Sequence, residues 1–231
     1  MAIELVIFDL AGTTVDDGDA VNRCLRDALA AAGVTVTRDA VNGVMGIPKP
    51  VAIGVLLGGD APADRIAAIF DDFAVRMTRF YAEDPAVAEV AGTSETFAAL
   101  RAAGIKVAVN TGFDRAVTRT LLDRLGWERG GLIDASLCSD EVPRGRPHPD
   151  MIRRLMADLG VGDPRSVAKV GDTPADLQEG TAAGCGRVVG VLNGTHTRPQ
   201  LEGFPHTDLI ASVADLPGAL GLDPASDRPA G

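Results

Sequence analysis

The sequence predicts an α/β protein with a doubly wound parallel sheet and a small inserted α-helical domain. Apolar, β-branched runs of strand length, such as Ile3 to Phe8, alternate with helix-like segments over most of the chain. Between Asp16 and Asp84 the pattern changes to consecutive amphipathic helices with no convincing strand. With 231 residues and 46% hydrophobic content, the chain can form one core and a smaller second domain.

The change of pattern sets the predicted domain limits. We expect a core of residues 1–15 and 85–223, a helical cap of residues 16–84, and a flexible tail of residues 224–231, which holds small and helix-breaking residues. The amphipathic patterns of the cap run through Val21 to Ala32, Thr37 to Val44, Pro50 to Leu57 and Ala63 to Tyr81. The links at Asp16 to Gly18 and Asp84 to Gly92 are the expected hinges.

The first strand ends at an aspartate that a tight turn of small residues follows. Asp9 is succeeded by Leu10-Ala11-Gly12-Thr13-Thr14, whose backbone N–H groups and hydroxyls can surround an anion. This arrangement suits a nucleophilic carboxylate facing a bound anion. By itself Asp9 could equally cap the turn.

Three later segments place further polar residues at the expected ends of strands or helices. Thr111 and Gly112 follow an apolar strand and precede a helix-like segment from Asp114 to Leu125, and Arg146 lies in a proline-stiffened turn. Asp172 and Asp176 follow the strand from Ser166 to Gly171, and paired carboxylates at that spacing suit a hard divalent cation. The carboxyl ends of parallel strands share one edge, so these segments predict one site.

In this order and chemistry, the four segments resemble the haloacid dehalogenase-like hydrolases over residues 4 to about 190. The resemblance implies a Rossmann-like core and Mg²⁺-dependent hydrolysis of a small phosphorylated or phosphonate metabolite. It implies that Asp9 forms an aspartyl-phosphate and that Thr111 and Arg146 bind the phosphoryl oxygens. The implied ligands of Mg²⁺ are Asp9, the Ala11 carbonyl and Asp172, with Asp176 supporting the metal from nearby.

Ala11 departs from the commonest pattern of that superfamily, which has a second aspartate as general acid and base at this position. Met45-Gly46-Ile47-Pro48-Lys49 offers another way to activate a leaving group, since Met-Gly-x-x-Lys and Asp-x-Ala-Gly-Thr-Thr-Val-Asp resemble the phosphonatase branch. There the lysine forms a Schiff base with phosphonoacetaldehyde, so the resemblance implies that Lys49 assists C–P cleavage in that or a related carbonyl phosphonate. The substrate-binding residues it implies are Thr13, Met45, Gly46, Gly112, Phe113 and Asp19.

Three positions depart from the phosphonatase pattern. Ala52 replaces a histidine, Asp19 replaces a cysteine and Phe113 replaces a tyrosine. Two alternatives therefore stay open: a phosphomonoester phosphatase of the same superfamily, in which Lys49 is an ordinary exposed lysine, and a non-catalytic binding protein. Asp19 could supply a carboxylate in place of the thiol.

Composition argues against several partners. A formal charge of −10 opposes binding to nucleic acid, and no signal peptide or membrane-spanning segment is evident, so we expect a cytoplasmic protein. The resemblance leaves a homodimer through the cap as an open alternative. The remaining candidates are expected to be structural: the thiols of Cys24, Cys138 and Cys185, and the unclustered His148, His196 and His206.

Overall fold

A computed structural model describes residues 2–222 and contains a six-stranded parallel sheet. Its strands are β1 (Leu5–Phe8), β4 (Lys106–Thr111), β5 (Ala135–Cys138), β6 (Val167–Gly171), β7 (Arg187–Val191) and β8 (Asp208–Ile210). They lie in the order β5-β4-β1-β6-β7-β8, so the chain runs outward from β1 in both directions. The predicted doubly wound sheet is confirmed.

The short strand β1 lies at the centre of the sheet, and both of its faces are buried. Val6 and Phe8 belong to one apolar cluster, in which the ring of Phe97 lies 4.9 Å from that of Phe8. Leu5 and Ile7 belong to the cluster on the opposite face. Period-two alternation therefore explains why all four residues of this strand are apolar.

Helices cover both faces of the sheet. They are α5 (Thr93–Ala102), α6 (Arg115–Leu125), α7 (Asp150–Asp158), α8 (Pro174–Ala183), α9 (Arg198–Leu201) and α10 (Leu216–Ala219). Asp114 begins α6 by accepting a hydrogen bond from the Val117 amide. Gly126 ends it in the left-handed region, with a φ of 72°.

Four helices lie between the first two motifs, as predicted: α1 (Ala20–Ala31), α2 (Arg38–Asn42), α3 (Lys49–Leu56) and α4 (Ala63–Glu83). The sequence did not predict the short antiparallel ribbon at their base, formed by β2 (Val15–Asp16) and β3 (Ala88–Glu89). The expected boundary between residues 15 and 16 falls inside this ribbon. The division into two domains stays a prediction.

The helical segment from α1 to α4 packs against the core. On α4, the ring of Tyr81 meets that of Phe113 edge-on at 5.9 Å between centroids, and Phe73 stacks near the same ring at 6.4 Å. Arg124 of α6 donates hydrogen bonds to the carbonyls of Tyr81 and Asp84, at 3.0 and 2.6 Å. These contacts hold the end of α4 beside the edge of the sheet where the motifs lie.

Short elements of secondary structure continue through residues 193–222. The turn-rich stretch from Asn193 to Pro205 contains α9, and the stretch from Thr207 to Leu216 continues beyond β8 into helical turns and α10. The predicted tail of residues 224–231 lies outside the described residues. Within residues 2–222, no helix is both long enough and apolar enough to cross a bilayer.

Candidate active site

The four motifs meet around one cavity of about 460 Å³ at the carboxyl edge of the sheet. Asp9 follows β1, Thr111 ends β4, and Lys49 begins α3. The predicted residues that line the cavity are Asp9, Ala11, Asp19, Met45, Gly46, Lys49, Thr111, Gly112, Phe113 and Arg146. Thr13, Asp172 and Asp176 lie behind this lining. The roles assigned to all of them remain predictions.

Arg146 lies among three buried carboxylates. Its Nη1 is 2.7 Å from Asp9 Oδ1 and 2.9 Å from Asp176 Oδ1, and its Nε is 3.2 Å from Glu179 Oε2. Burial opposes the charge, but the carboxylates led by Asp176 raise the pKa of Arg146 above its ordinary value. Nη1 lies at ion-pair distance from both aspartates but satisfies the geometry of a hydrogen bond with neither.

Sequence reasoning missed three residues that hold Arg146 in place. Asn110 accepts from its Nη2 at 2.7 Å and donates to both oxygens of Glu179 at 3.0 Å. Lys169, which is fully buried, lies 2.8 Å from Asp176 Oδ1 and donates to Asn110 Oδ1 at 2.8 Å. An acidic residue on α8 and a lysine inside an apolar strand were the available signals, because buried charges need partners.

The carboxylates of this network differ in the direction in which their pKa values are shifted. Burial raises the pKa of Asp176, but Arg146 and Lys169 outweigh it and lower that pKa below its usual range. Burial raises the pKa of Asp9, while Arg146 acts in the opposite direction. Negative charge is therefore retained most readily on Asp176, which also accepts hydrogen bonds from the amide and hydroxyl of Thr173.

Asp172 is buried and forms no ion pair with a basic residue within residues 2–222. Its Oδ1 accepts a hydrogen bond from the Thr13 hydroxyl at 3.1 Å, and its Oδ2 accepts one from the Thr195 amide at 2.6 Å. Burial, followed by repulsion from Asp9 and Asp176, raises the pKa of Asp172 to about 7. A buried carboxylate without a countercharge suits a bound cation.

The three aspartates form a compact oxygen cluster. One carboxylate oxygen each of Asp9, Asp172 and Asp176 lies within 4.8 Å of the others. Among the hydrogen bonds of residues 2–222, none ends on the Ala11 carbonyl, so that oxygen is free to act as a ligand. Asp176 is paired with both Arg146 and Lys169 and Asp9 with Arg146, whereas Asp172 has no basic partner among the described residues. This donor set fits Mg²⁺, which prefers oxygen ligands.

The turn after Asp9 approaches the Asp172 carboxylate closely. Gly12 has a φ of +85°, and a Cβ at this position would lie 2.6 Å from Asp172 Oδ2. The Thr14 hydroxyl donates to the Asp9 carbonyl at 2.8 Å and fixes the start of the turn. Thr13, predicted to bind substrate, is fully buried, and its hydroxyl is engaged by Asp172 instead.

Lys49 is buried, contrary to the interpretation of an ordinary exposed lysine. Only 3% of it is accessible, and its Nζ lies 5.3 Å from the centroid of the Phe113 ring. Burial lowers the pKa of Lys49 to about 8, although Asp9 acts in the opposite direction. The amine therefore gives up its proton far more readily than an exposed lysine does.

Three glycines allow the turn of residues 45–49, which carries Lys49, to pack closely against the core. A Cβ on Gly46 would lie 2.2 Å from Thr173 Oγ1, and one on Gly112 would lie 2.8 Å from the Ile47 carbonyl oxygen. A Cβ on Gly145 would lie 2.5 Å from Pro48 Cγ. Gly46 and Gly112, predicted to bind substrate, therefore also bring the 45–49 turn close to the core loops.

The positions that depart from the phosphonatase pattern are placed differently from one another. Ala52 is buried, and Phe113 supplies an apolar wall beside Lys49. Asp19 lies at the rim of the cavity, where it is exposed and pairs with Arg38 at 2.8 Å. That Asp19 supplies a carboxylate in place of the thiol stays a prediction.

Further residues line the cavity that the sequence did not indicate as site residues. Asn193 and Thr195, from the loop after β7, line it, and Asn193 donates to the Gly12 carbonyl at 2.8 Å. Asp17, from the loop after β2, lines it from the opposite side and is buried. Loop residues of this kind have no periodicity that would reveal them in a sequence.

The remaining cysteines and histidines lie outside the cavity lining. Cys24 and Cys138 are buried and Cys185 is half-buried, and all three thiols are free. His148 and His206 are exposed, whereas His196 is buried beside the loop that holds Asp172, so it is not solvated. None of the three histidines joins the acidic cluster described above.

The known protein sequences that this chain resembles are those of hydrolases. A sequence model described as haloacid dehalogenase-like hydrolase matches residues 6–191. The phosphonoacetaldehyde hydrolase of Bordetella pertussis is 32% identical over 94% of this chain and 91% of its own length. That of Bordetella avium is 37% identical over 92% of this chain and 80% of its own length.

Two solved structures are also similar to this chain in fold. The phosphonoacetaldehyde hydrolase like protein from Oleispira antarctica is 27% identical, with a TM-score of 0.86 over 96% of this chain and 92% of its own. A predicted phosphoglycolate phosphatase from Haemophilus somnus is similar in fold, with a TM-score of 0.78 at 21% identity over 94% of this chain and 97% of its own.

Proposed function

The chain belongs to the haloacid dehalogenase-like hydrolases, and from this premise we propose that it hydrolyses the C–P bond of phosphonoacetaldehyde or a related carbonyl phosphonate. Asp9 is the nucleophile, and Lys49 is the amine that activates the leaving group. The observation that carries the proposal is the burial of Lys49 in the same cavity as Asp9. The names of the curated relatives support the substrate class.

The lowered pKa gives Lys49 a chemical use. With a pKa of about 8, about one lysine in ten is a free amine at pH 7. An exposed lysine would be free in about one molecule in a few thousand at that pH. Only the free amine can attack a carbonyl carbon, so burial favours imine formation at Lys49.

The proposed reaction begins with imine formation. The Lys49 nitrogen bonds to the aldehyde carbon, one proton from that nitrogen and one further proton move to the carbonyl oxygen, and this oxygen departs as water, leaving an iminium. An oxygen of Asp9 then attacks phosphorus while the C–P bond breaks, and the electron pair of that bond moves into the iminium to give an enamine. The leaving group needs no proton from the position of Ala11. Protonation of the enamine at carbon by solvent, followed by hydrolysis, yields acetaldehyde, and hydrolysis of the aspartyl-phosphate yields inorganic phosphate.

Charge stabilisation accompanies the attack of one anion on another. Asp9, Asp172 and the Ala11 carbonyl would hold Mg²⁺, with Asp176 behind them, and the bound cation would neutralise charge between the carboxylate and the phosphonate. Thr111 and Arg146 would bind the phosphonate oxygens. In support, Thr111 and Arg146 line the same cavity as Asp9, and Arg146 Nη1 lies 2.7 Å from Asp9 Oδ1.

The helices α1–α4 would act as a cap over this site, with limits near residues 16 and 84. Phe113, Met45 and Lys49 line the cavity, and the Tyr81 ring packs edge-on against Phe113. Water must be excluded during attack on phosphorus and readmitted to hydrolyse the aspartyl-phosphate. Motion about the β2–β3 ribbon would serve both steps.

The test compares phosphate release from phosphonoacetaldehyde in the presence of Mg²⁺ by the wild type, Lys49→Arg and Lys106→Arg. The chain has only three lysines, and Lys106, whose amine donates to the Leu159 carbonyl, is the matched control. We expect Lys49→Arg to abolish release and Lys106→Arg to retain it. Borohydride added with the substrate should leave a reduced adduct on Lys49 alone among the lysines. Equal turnover by wild type and Lys49→Arg would contradict the proposal.

A phosphomonoesterase is the second candidate, favoured by the apolar Ala52 and Phe113 beside the lysine. It predicts turnover of 4-nitrophenyl phosphate that Lys49→Arg leaves intact, with no release from phosphonoacetaldehyde. Asp9→Asn should stop turnover of either substrate. Membership of a hydrolase family favours both candidates over a non-catalytic binding protein.

A further inference from the structure

Asp17 is a buried carboxyl group at the cavity that the proposed reaction has not used. It is 7% exposed, and within residues 2–222 it forms no ion pair with a basic residue. The Tyr81 hydroxyl donates to its Oδ2 at 2.9 Å, and the Ala20 amide donates to its Oδ1 at 3.2 Å. Two donors from different helices therefore fix its orientation.

The Phe113 ring lies near Lys49 and near Tyr81, which is hydrogen-bonded to Asp17. The Lys49 Nζ lies 5.3 Å from the centroid of this ring, and the Tyr81 ring meets it edge-on at 5.9 Å between centroids. Tyr81 in turn holds Asp17, and both Asp17 and Lys49 line the cavity. Burial lowers the pKa of Lys49, and the negative charge of Asp17 is among the influences that act against burial.

We propose that Asp17 is the general acid and base for imine formation and imine hydrolysis at Lys49. This inference rests on the proposed function, in which imine formation and imine hydrolysis need a proton donor and acceptor that Asp9 and Lys49 do not supply. Two buried carboxyl groups of the described residues line the cavity: Asp9 pairs with Arg146, whereas Asp17 pairs with no basic residue.

The proton balance is simple. Attack by the Lys49 amine forms the N–C bond, and a proton moves from nitrogen to the former carbonyl oxygen. The Asp17 carboxyl then gives its proton to this hydroxyl, the C–O bond breaks, and water leaves as the C=N bond forms. In hydrolysis of the product iminium, the Asp17 carboxylate takes a proton from the attacking water and is restored.

The surroundings of Asp17 suit a proton donor. Burial raises the pKa of Asp17, against the hydrogen bonds from Tyr81 and Ala20, so its acid form persists to higher pH than that of an exposed aspartate. Burial also raises the pKa of Tyr81, which therefore remains a donor. The titratable groups around Asp17 are Asp16 and Asp19 in its own loop, Cys24 on α1, Lys49 on α3 and Tyr81 on α4.

Asp17→Asn separates proton transfer from a structural role. The amide oxygen can still accept the hydrogen bond from the Ala20 amide, and the amide NH2 can donate to the Tyr81 oxygen, but the side chain can no longer donate or take the catalytic proton. The measurement is the rate at which phosphonoacetaldehyde and borohydride build up the reduced Lys49 adduct, followed by intact mass. We expect Asp17→Asn to slow this rate by about 100-fold, the lower end of general acid–base catalysis. Asp27→Asn, an exposed change on α1, is the matched control and should retain the wild-type rate.

The outcomes are distinguishable. Equal rates of adduct formation in the wild type and Asp17→Asn would overturn the role of Asp17 and leave the Schiff-base function standing. Failure of the wild type to form an adduct would overturn the proposed function itself and this role with it. Turnover of 4-nitrophenyl phosphate by Asp9 reports whether Asp17→Asn has folded.

A second variant keeps the test informative if Asp17→Asn does not fold. Tyr81→Phe retains the carboxyl group and removes the hydroxyl that stabilises its charged form. The pKa of Asp17 should then rise, so the pH above which adduct formation loses its acid should move upward. An unchanged pH profile would overturn the proposal.

Discussion

At the scale of single residues, the three lysines of the chain differ in what surrounds the amine. Lys106 donates to a backbone carbonyl, and Lys169 lies 2.8 Å from a carboxylate oxygen of Asp176. Lys49 faces the Phe113 ring and has no carboxylate within 4 Å among the described residues. Only Lys49 therefore combines burial with the absence of a close countercharge.

This difference predicts the pH dependence of imine formation. The pKa of Lys49 in the folded protein is lowered from 10.5 to about 8, so the reactive amine is present above about pH 8 and is lost as the pH falls. Where Asp17 still holds its proton, the rate of borohydride-trapped adduct formation should rise about tenfold per pH unit below pH 8, and at higher pH the loss of that proton should oppose the rise. A rise that continues to about pH 10 would show that Lys49 is not desolvated. Turnover of 4-nitrophenyl phosphate should lack this dependence on the amine.

At the scale of elements, the 45–49 turn is the link between the helical segment and the chemistry of the sheet edge. It places Lys49 at the first position of α3, and glycines let its backbone approach the core loops. The sequence identified Met45, Gly46 and Lys49 from their spacing. The sequence did not reveal that the turn packs against Gly112 and Gly145, because these contacts join segments more than 60 residues apart.

Gly112→Ala tests the seating of this turn. The added Cβ would lie 2.8 Å from the Ile47 carbonyl oxygen and 3.0 Å from that of Gly46, so the turn must move away. A displacement of about 1 Å can cost about 100-fold in rate, and we expect a loss of this size in phosphate release from phosphonoacetaldehyde. Turnover of 4-nitrophenyl phosphate should fall much less, since it does not need Lys49.

Gly162→Ala is the control for this change. A Cβ at Gly162 would meet no atom within 4 Å, and its φ lies outside the left-handed region. Its activities should match those of the wild type. Equal losses on both substrates in Gly112→Ala would show that the substitution damages the whole site rather than the position of the turn.

At the scale of the whole molecule, the site joins segments from distant parts of the chain and concentrates negative charge where they meet. Asp9 follows the central strand, and Asp172 and Asp176 belong to the segment after β6. Arg146 and Lys169 offset the charge on Asp176, but no basic residue within residues 2–222 pairs with Asp172. The metal-free fold is therefore strained electrostatically at this point.

Asp172→Asn should relieve this strain and remove the response to Mg²⁺. The pKa of Asp172 is raised from 3.8 to about 7 in the folded protein, so ionisation of this group lowers the free energy of unfolding as the pH rises from about 4 to about 7, and the loss is complete above that range. In EDTA at pH 8, the melting temperature of the variant should equal or exceed that of the wild type. Added Mg²⁺ should raise the melting temperature of the wild type alone, because a ligand stabilises only the state that binds it.

Asp60→Asn, an exposed change, should leave the response to Mg²⁺ intact. The melting temperature of each protein is measured by differential scanning calorimetry with and without the metal. An equal stabilisation of Asp172→Asn by Mg²⁺ would show that Asp172 is not required to bind the cation.

The sequence by itself determined the doubly wound sheet and the meeting of Asp9, Thr111 and Asp172 at one edge. These features follow from local properties, namely apolar periodicity, chain direction and the polar residue at each strand end. Only the tertiary structure shows which carboxylates are paired with a cation, as Glu179 is with Arg146 and Asp176 is with Lys169. It also shows that Asp17 and Lys49 line the same cavity. Burial and charge pairing depend on residues distant along the chain, so no local pattern encodes them.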